Sequence, residues 1–280
     1  PIQTRVITSA DIAKIDATNV QDLLQQELPG VEFSYSMNQR THLNFSGFGG
    51  QSILFLVDGE RLAGETMDDV DFTRLTMDNV ERIEIVKGAA SALYGSSASG
   101  GVINIITKKA SKPWTLNLNG RLAKHGEQRY GGTFGLNSKH WSNMLSANYN
   151  TTDNYSVNSG PNPVTRVIST IYGDKTINTR EQLTWKPSTA LSFTGRAGYF
   201  FRETTRTVGQ PERYRDFSGG LRMNWTMSAF DQLRVNYSFD QYDKSNYQTV
   251  RRLDIRSYSN VQNTVRALYS HEFERGDVLT

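Results

Sequence analysis

From about residue 112 onward the chain alternates apolar and polar positions with period two. In residues 191–202, Leu191, Phe193, Ala197, Tyr199 and Phe201 share one face and Ser192, Thr194, Arg196 and Arg202 the other, with Gly195 and Gly198 one on each. Residues 217–227 repeat this, setting Phe217, Leu221, Met223, Trp225 and Met227 against Ser218, Arg222, Asn224 and Thr226. Residues 233–240 do so again, with Leu233, Val235, Tyr237 and Phe239 opposite Arg234, Asn236, Ser238 and Asp240. A side-chain period of two predicts strands with one apolar face. Tight turns at Asn137-Ser138-Lys139 and Lys186-Pro187-Ser188 are expected to alternate with longer polar connections, Thr151 to Lys175 and Glu203 to Arg215. Arg251, Arg252 and Arg256 fall in another such connection. Alternation by itself also fits a soluble β-sandwich. Strands of roughly ten residues exceed the usual five or six of soluble sheets, and short turns at one rim with long loops at the other describe a membrane barrel. Trp114, Trp141, Trp185, Tyr199 and Trp225 then suit interfacial girdles.

The first 111 residues have a different texture. A strand-like Ile2 to Thr8 precedes Thr8-x-x-Asp11 and Thr18-x-x-Gln21, each readable as a capping box opening a short helix. The second helix stops at Pro29-Gly30, and an extended Val31 to Tyr35 leads into a polar loop, Ser36 to Arg40. A segment from Thr41 runs into Gly47-Phe48-Gly49-Gly50, and the apolar strand Ser52 to Val57 ends at Asp58-Gly59, a hairpin signal. A strand Glu81 to Lys87, a helical turn Ala89 to Leu93, a small-residue loop and a strand Val102 to Thr107 complete the region. The expected organisation is an α+β domain over 1–111 and an antiparallel β region over 112–280. The glycines read as structural: Gly88 and Gly95 bracket a turn too short to stand alone, and neither Gly47-x-Gly49 nor Gly95 to Gly101 has the lysine, hydroxyl and long helix of a phosphate loop.

Composition narrows the classes. Hydrophobic content is 37%, which suits strands that show lipid only alternate residues. No run approaches the ~18 apolar residues of a helical span. A net charge of +3 and a pI near 9.0 are too small and scattered to argue for nucleic acid. There is no cysteine, hence no disulfide framework and no thiolate metal site. No nucleophile with a base and an orienting group recurs, so an enzyme is not expected. The chain begins at Pro1 without the basic segment and apolar core of a signal peptide, and is expected to be processed or trimmed.

Three segments carry a family resemblance. They are Asn19-Val20-Gln21-Asp22-Leu23-Leu24 with Leu28-Pro29-Gly30-Val31; Val57-Asp58-Gly59-Glu60-Arg61; and Val80 to Gly88 continuing through Leu93-Tyr94-Gly95-Ser96-Ser97-Ala98 to Gly100-Gly101-Val102-Ile103-Asn104-Ile105-Ile106-Thr107. In this order they resemble the plug domain of TonB-dependent outer-membrane receptors. The resemblance implies a plug over 1–111 and the N-terminal part of a transmembrane β-barrel over 112–280. That part is about eight strands of the 22 such plugged barrels carry, since an eight-stranded barrel is filled by its own side chains. It implies the outer membrane of a Gram-negative type of cell, contact with membrane lipid, and active import of a small-molecule metal complex. The energy would come from the TonB complex, engaged through a segment upstream of Pro1. The expected ligand is an iron complex such as haem or a siderophore, with cobalamin as the alternative; a non-transport binding or adhesion protein is the alternative from another class. Haem would be cargo, and no resident cofactor or metal is expected.

The resemblance also places candidate residues. Two apical plug loops match Tyr35 to Thr41 and Arg61 to Val70, giving Tyr35, Met37, Asn38, Arg40, Glu65, Met67 and Asp68 as ligand-facing candidates, with His42 beside the first loop. Tyrosine and histidine can serve as axial ligands of haem iron. Arg82, Glu84 and Lys87 match charges that seat the plug against the barrel, Arg82 and Glu84 sharing one strand face and Lys87 taking the other. Serine stands at position 46 and lysine at 87 where the family usually has arginine, which removes one charge and replaces a bidentate fork by a point charge.

Overall fold

The computed structural model describes residues 3–15, 19–28, 30–35, 41–45, 48–49, 53–61, 71–87, 101–159, 167–273 and 278–279. The chain divides into two compact units, residues 1–111 forming the body of the first and residues 112–259 with 264–280 the second.

The first unit runs β1 (Gln3–Ile7), α1 (Ser9–Lys14), α2 (Val20–Glu27), β2 (Val31–Tyr35), β3 (Thr41–Phe45), β4 (Phe48–Gly49), β5 (Ile53–Val57), β6 (Glu60–Arg61), β7 (Val80–Lys87) and β8 (Gly101–Thr107). Five strands form a sheet in the order β1-β7-β8-β5-β6, and β2-β3-β4 form a separate one. β5 pairs parallel to β8, and every residue of β5 is buried. An unbroken apolar run is what a strand covered on both faces requires. One face packs Phe55, Ile83, Ile85, Ile103 and Ile105 against Val20, Leu23 and Leu24 of α2; on the other, Leu54, Leu56 and Val102 form a smaller cluster with Val86. Phe72, on the 3₁₀ turn Phe72–Arg74, sets its ring edge-on to Phe55 at 5.0 Å.

The capping box at Thr8 forms as expected: the Asp11 amide donates to Thr8 Oγ1 at 3.3 Å and the Thr8 amide to Asp11 Oδ2 at 3.0 Å. The second box does not. α2 is capped one residue later by Asn19, whose Oδ1 accepts from the Asp22 amide at 2.8 Å. A carboxamide oxygen caps as well as a hydroxyl, and this register brings Asp22 into the first turn, where the helix dipole favours a carboxylate. The helical turn expected at Ala89 to Leu93 lies outside the described residues.

The second unit is an antiparallel meander. Its elements are β9 (Trp114–Leu122), β10 (Gln128–Asn137), β11 (Trp141–Thr151), β12 (Tyr155–Ser159), β13 (Val167–Ile171), β14 (Asp174–Trp185), β15 (Leu191–Thr207), β16 (Gln210–Thr226), β17 (Asp231–Gln248), β18 (Leu253–Glu272) and β19 (Val278–Leu279). Eight long strands and the short β19 form one sheet, while β12 and β13 pair with each other inside the connection from β11 to β14.

Two expectations are corrected here. Residues 203–215 are not a loop: β15 and β16 are each 17 residues long and meet at Val208-Gly209, with Thr207 opposite Gln210 and Gly209 at φ 76°. Arg256 likewise lies within β18, and Arg251 and Arg252 close a four-residue turn with Arg252 at φ 52°. Sequence reading missed both because the outward positions turn polar while backbone pairing continues. The strands therefore lengthen along the chain, from 9 residues in β9 to 20 in β18.

Candidate ligand site and membrane face

Strand register sorts the second unit into two faces. On one, Trp141, Trp185 and Phe193 are cross-strand neighbours stacked at 5.7 Å spacings, at the end of the strands joined by the turns at 138–140 and 186–190. Eight residues further along the same face come Tyr149, Ile177 and Phe201, with Tyr130 stacked on Tyr149 at 6.4 Å and Tyr199 tilted against Phe217 at 5.1 Å. Leu116, Leu118, Phe134, Leu145, Leu183 and Leu221 lie between the two aromatic rows and are all exposed. A continuous exposed apolar belt bounded by aromatic rows faces lipid in transmembrane barrels. No helix among the described residues is long and apolar enough to cross a membrane.

The opposite, inward face is polar and rich in cations. It carries Arg180, Arg196, Arg202, Arg222 and Lys244 against Glu212, Asp216 and Asp240. Away from the short turns these gather around two aromatic rings. The Tyr214 hydroxyl donates to Glu212 at 2.8 Å, Lys244 reaches the same carboxylate at 3.7 Å, and the Arg202 guanidinium lies over the Tyr214 ring at 4.2 Å. Arg206 also acts on Glu212. Tyr242, 6.3 Å from Tyr214, is fully buried. Such a cluster can accept an anionic aromatic group by charge, stacking and hydrogen bonding. The sequence pattern hides it because residues 203–215 are polar on both faces; its one signal is Arg202-x-x-x-Arg206, which continues the polar phase of Ser192, Thr194 and Arg196.

In the first unit, Tyr35 pairs with Thr41 at the end of the β2–β3 ladder and Ser34 with His42. Tyr35 and His42 thus occupy successive rungs of the ladder. Met37, Asn38, Arg40, Glu65, Met67 and Asp68 lie outside the described residues, as does Ser46. Arg82 binds within its own strand, Nε to Glu84 at 2.8 Å and a terminal nitrogen to Glu81 at 3.0 Å, and these carboxylates hold its pKa above the ordinary arginine value. A bulge explains the neighbour contact: Val80 opposes Thr107 and Arg82 opposes Ile106, so Glu81 is the extra residue. Lys87 ends β7 opposite Gln3.

The Asp58-Gly59 turn shows why its motif and the strand β8 motif occur together. Both residues have positive φ, 53° and 81°, as a two-residue hairpin of the twist-matched type requires. The Asp58 carboxylate accepts from the Thr107 amide at 2.9 Å and from its hydroxyl at 2.7 Å. The Gly59 amide donates to Asn104 Oδ1 at 3.0 Å, and the Asp58 amide to the Ile105 carbonyl at 2.9 Å. The turn is therefore locked onto β8 from both sides.

The other histidines hold structure. His140 Nδ1 lies 3.0 Å from the Lys186 carbonyl, His271 2.7 Å from Asp231, and His125 stacks on Tyr155 at 3.9 Å. His125 and His140 stand in the turns at opposite ends of β10, and no group of three metal-ligating side chains occurs among the described residues.

A small α+β domain preceding an antiparallel meander with one apolar, aromatic-bounded face and one polar face defines the class: a plug domain followed by part of a transmembrane-type β-barrel. The first 102 residues match the family model of the TonB-dependent Receptor Plug Domain. Among curated proteins it is 41% identical over 109 residues to the vitamin B12 transporter BtuB of Vibrio cholerae, a match covering 38% of this chain and 18% of that one. The corresponding protein of Photobacterium profundum is 37% identical over 103 residues, 36% of this chain and 17% of its own length. Among solved structures, a mutant ferric enterobactin receptor (PfeA) from Pseudomonas aeruginosa superposes with a TM-score of 0.74 at 20% identity, covering 98% of this chain and 46% of that one. The siderophore receptor PiuA of Acinetobacter baumannii gives 0.75 at 15% identity, covering 99% and 43%. The chain spans less than half the length of these receptors, and they establish its fold.

Proposed function

We propose that this chain is part of an active transporter of the outer membrane that imports an anionic iron complex, a ferric siderophore of the catecholate kind in the first instance. The observation that carries this reading is the cationic inner wall, with Arg202, Lys244 and Arg206 around Glu212 and Tyr214. A ferric tris-catecholate is a multiply charged anion with aromatic faces, and a guanidinium that already stacks on a tyrosine offers both kinds of contact. The ferric enterobactin receptor of similar fold and the Escherichia coli receptor Fiu, described as a ferric-catecholate import receptor, support the same ligand class. Haem, with its two carboxylates, is the next iron complex, and Tyr35 or His42 would be its axial ligand.

Cobalamin is the second reading, and the identity of the plug to vitamin B12 transporters favours it. Energy coupling in either case would come from the TonB complex acting on a segment that precedes the plug. The deciding experiment is calorimetric titration of the full-length receptor with a ferric catecholate, haem and cyanocobalamin, alongside growth on each with and without TonB. Tight binding of the ferric catecholate with TonB-dependent growth is expected. Cobalamin binding without any ferric-complex binding would overturn the iron reading, and growth independent of TonB would overturn active transport.

A further inference from the structure

Glu212 stands inside the cationic cluster of the polar wall and takes up the donors that an anion would use there. Strand register puts Arg202, Tyr214 and Lys244 in one cross-strand row, and Thr204, Glu212 and Asn246 in the next row of the same face. The Tyr214 hydroxyl carries a single proton and gives it to Glu212 Oε2 at 2.8 Å. Lys244 Nζ lies 3.7 Å from the same oxygen and 5.3 Å from the centre of the Tyr214 ring, which the Arg202 guanidinium covers at 4.2 Å. The positive charges of Lys244, Arg206 and Arg202 all act on this one carboxylate.

Glu212 is also the carboxylate with room to turn aside. Asp174 shares its row but lies two strands away across Thr204, about 10 Å at the spacing of neighbouring strands. Asp216, in the row on the other side of Tyr214, is buried, whereas the Glu212 side chain keeps 24% of its surface exposed. Arg206 Nε is buried and meets no hydrogen-bond acceptor among the described residues, so the cluster holds donor capacity beyond what Glu212 uses. A multiply charged anion arriving here sets like charge against Glu212 and offers its own oxygens to Tyr214, Lys244 and Arg206, so Glu212 gives way. A small, weakly charged anion does not offset the pairing it would break.

We propose that Glu212 is a built-in substitute for the ligand's anionic group, a specificity-determining residue that yields to multiply charged anions and keeps small ones such as phosphate out of the cluster. The inference rests on the cationic wall being the site of the imported complex. The test titrates the full-length receptor calorimetrically with iron(III) tris-catecholate, with and without inorganic phosphate, and with cyanocobalamin as the uncharged control. Glu212→Gln keeps the side-chain shape and an acceptor for Tyr214. It should bind the ferric complex about ten-fold more tightly than wild type, let phosphate compete where wild type does not, and leave cyanocobalamin binding unchanged. Glu212→Ala should shift both anions in the same direction. In a Lys244→Gln background the gain from Glu212→Gln should shrink, because the two side chains act on each other. Unchanged or weaker binding of the ferric complex by folded Glu212→Gln and Glu212→Ala would overturn the proposal, as would phosphate competition equal in wild type and variants. Absence of ferric-complex binding in wild type and variants alike would instead overturn the reading of this wall as an iron-complex site.

Discussion

Glu181 faces outward in the apolar belt, exposed, four residues from Trp185, and its carboxylate accepts a 2.8 Å hydrogen bond from Asn143. Leu145 and Ala197 are its cross-strand neighbours. Four residues at about 3.4 Å each, tilted near 45°, place it ~10 Å inside the tryptophan row of a band ~25 Å tall. A basic residue on the lipid face costs ~2–4 kcal/mol at the midplane, and an acidic one less, so Glu181 costs about 1–2 kcal/mol at this depth. Glu181→Leu removes that cost and forfeits a hydrogen bond worth ~1 kcal/mol, while leucine gains contact with the acyl chains. The expected outcome is a receptor more stable by about 1 kcal/mol, and by more in Asn143→Leu/Glu181→Leu, where neither polar partner is left without the other. Guanidinium unfolding of full-length protein in phospholipid vesicles, followed by tryptophan fluorescence, measures this. Destabilisation of Glu181→Leu by more than ~1 kcal/mol would refute the assignment of this face to lipid.

Asp58→Ala should destabilise the plug by roughly 3–4 kcal/mol, from two hydrogen bonds to a carboxylate and the strain of alanine at positive φ, whereas Asp58→Asn should cost about half; denaturant titration of the full receptor with a probe in the plug tests the ranking. Asp11 has its pKa lowered chiefly by the Thr8 hydroxyl and then the Thr8 amide, so its contribution is present above the unfolded carboxylate pKa and lost as pH falls through the lower folded value. Amide exchange in α1 should accelerate below about pH 4 in wild type and show no such acid-specific step in Asp11→Asn. Arg202→Gln and Lys244→Gln should each weaken ferric catecholate binding about ten-fold while leaving cobalamin binding unchanged; calorimetry on both ligands reads the difference, and equal effects on both would remove the charge argument. Gly173→Ala should disturb the connection between β11 and β14, because a Cβ there would meet the Thr152 carbonyl oxygen, and faster proteolysis of that segment is the readout.

The strands with apolar faces were legible because their chemistry follows the pleat: Leu191, Phe193, Tyr199 and Phe201 announce β15 as far as the lipid does. Beyond it, Glu203 on β15 and Arg213 and Arg215 on β16 continue the same face with charged side chains, and hydrophobic alternation no longer marks a strand whose hydrogen bonding is intact. The cationic wall was hidden for the same reason, since Arg206, Glu212 and Tyr214 lie on the stretch whose pairing the polarity pattern could not show. In the plug, Asp58-Gly59 announced a turn, but its closure on Asn104 and Thr107 joins residues 45 and 49 positions apart, a contact that only the parallel pairing of β5 with β8 creates. The cap at Asn19 was a one-residue ambiguity between two good capping side chains.

The lock between the Asp58 turn and β8 also fixes how the plug would yield to force. β1 is an edge strand held to β7 by five residue pairs, so it can leave without breaking any other ladder. β5 and β8 are interior, and the Asp58, Gly59, Asn104 and Thr107 contacts tie the far side of β8 to the hairpin. A pull arriving from the N-terminal side therefore meets a mechanically graded domain, with a compliant element nearest the load and a stiff knot behind it, able to lose its first strand and take it back without coming apart.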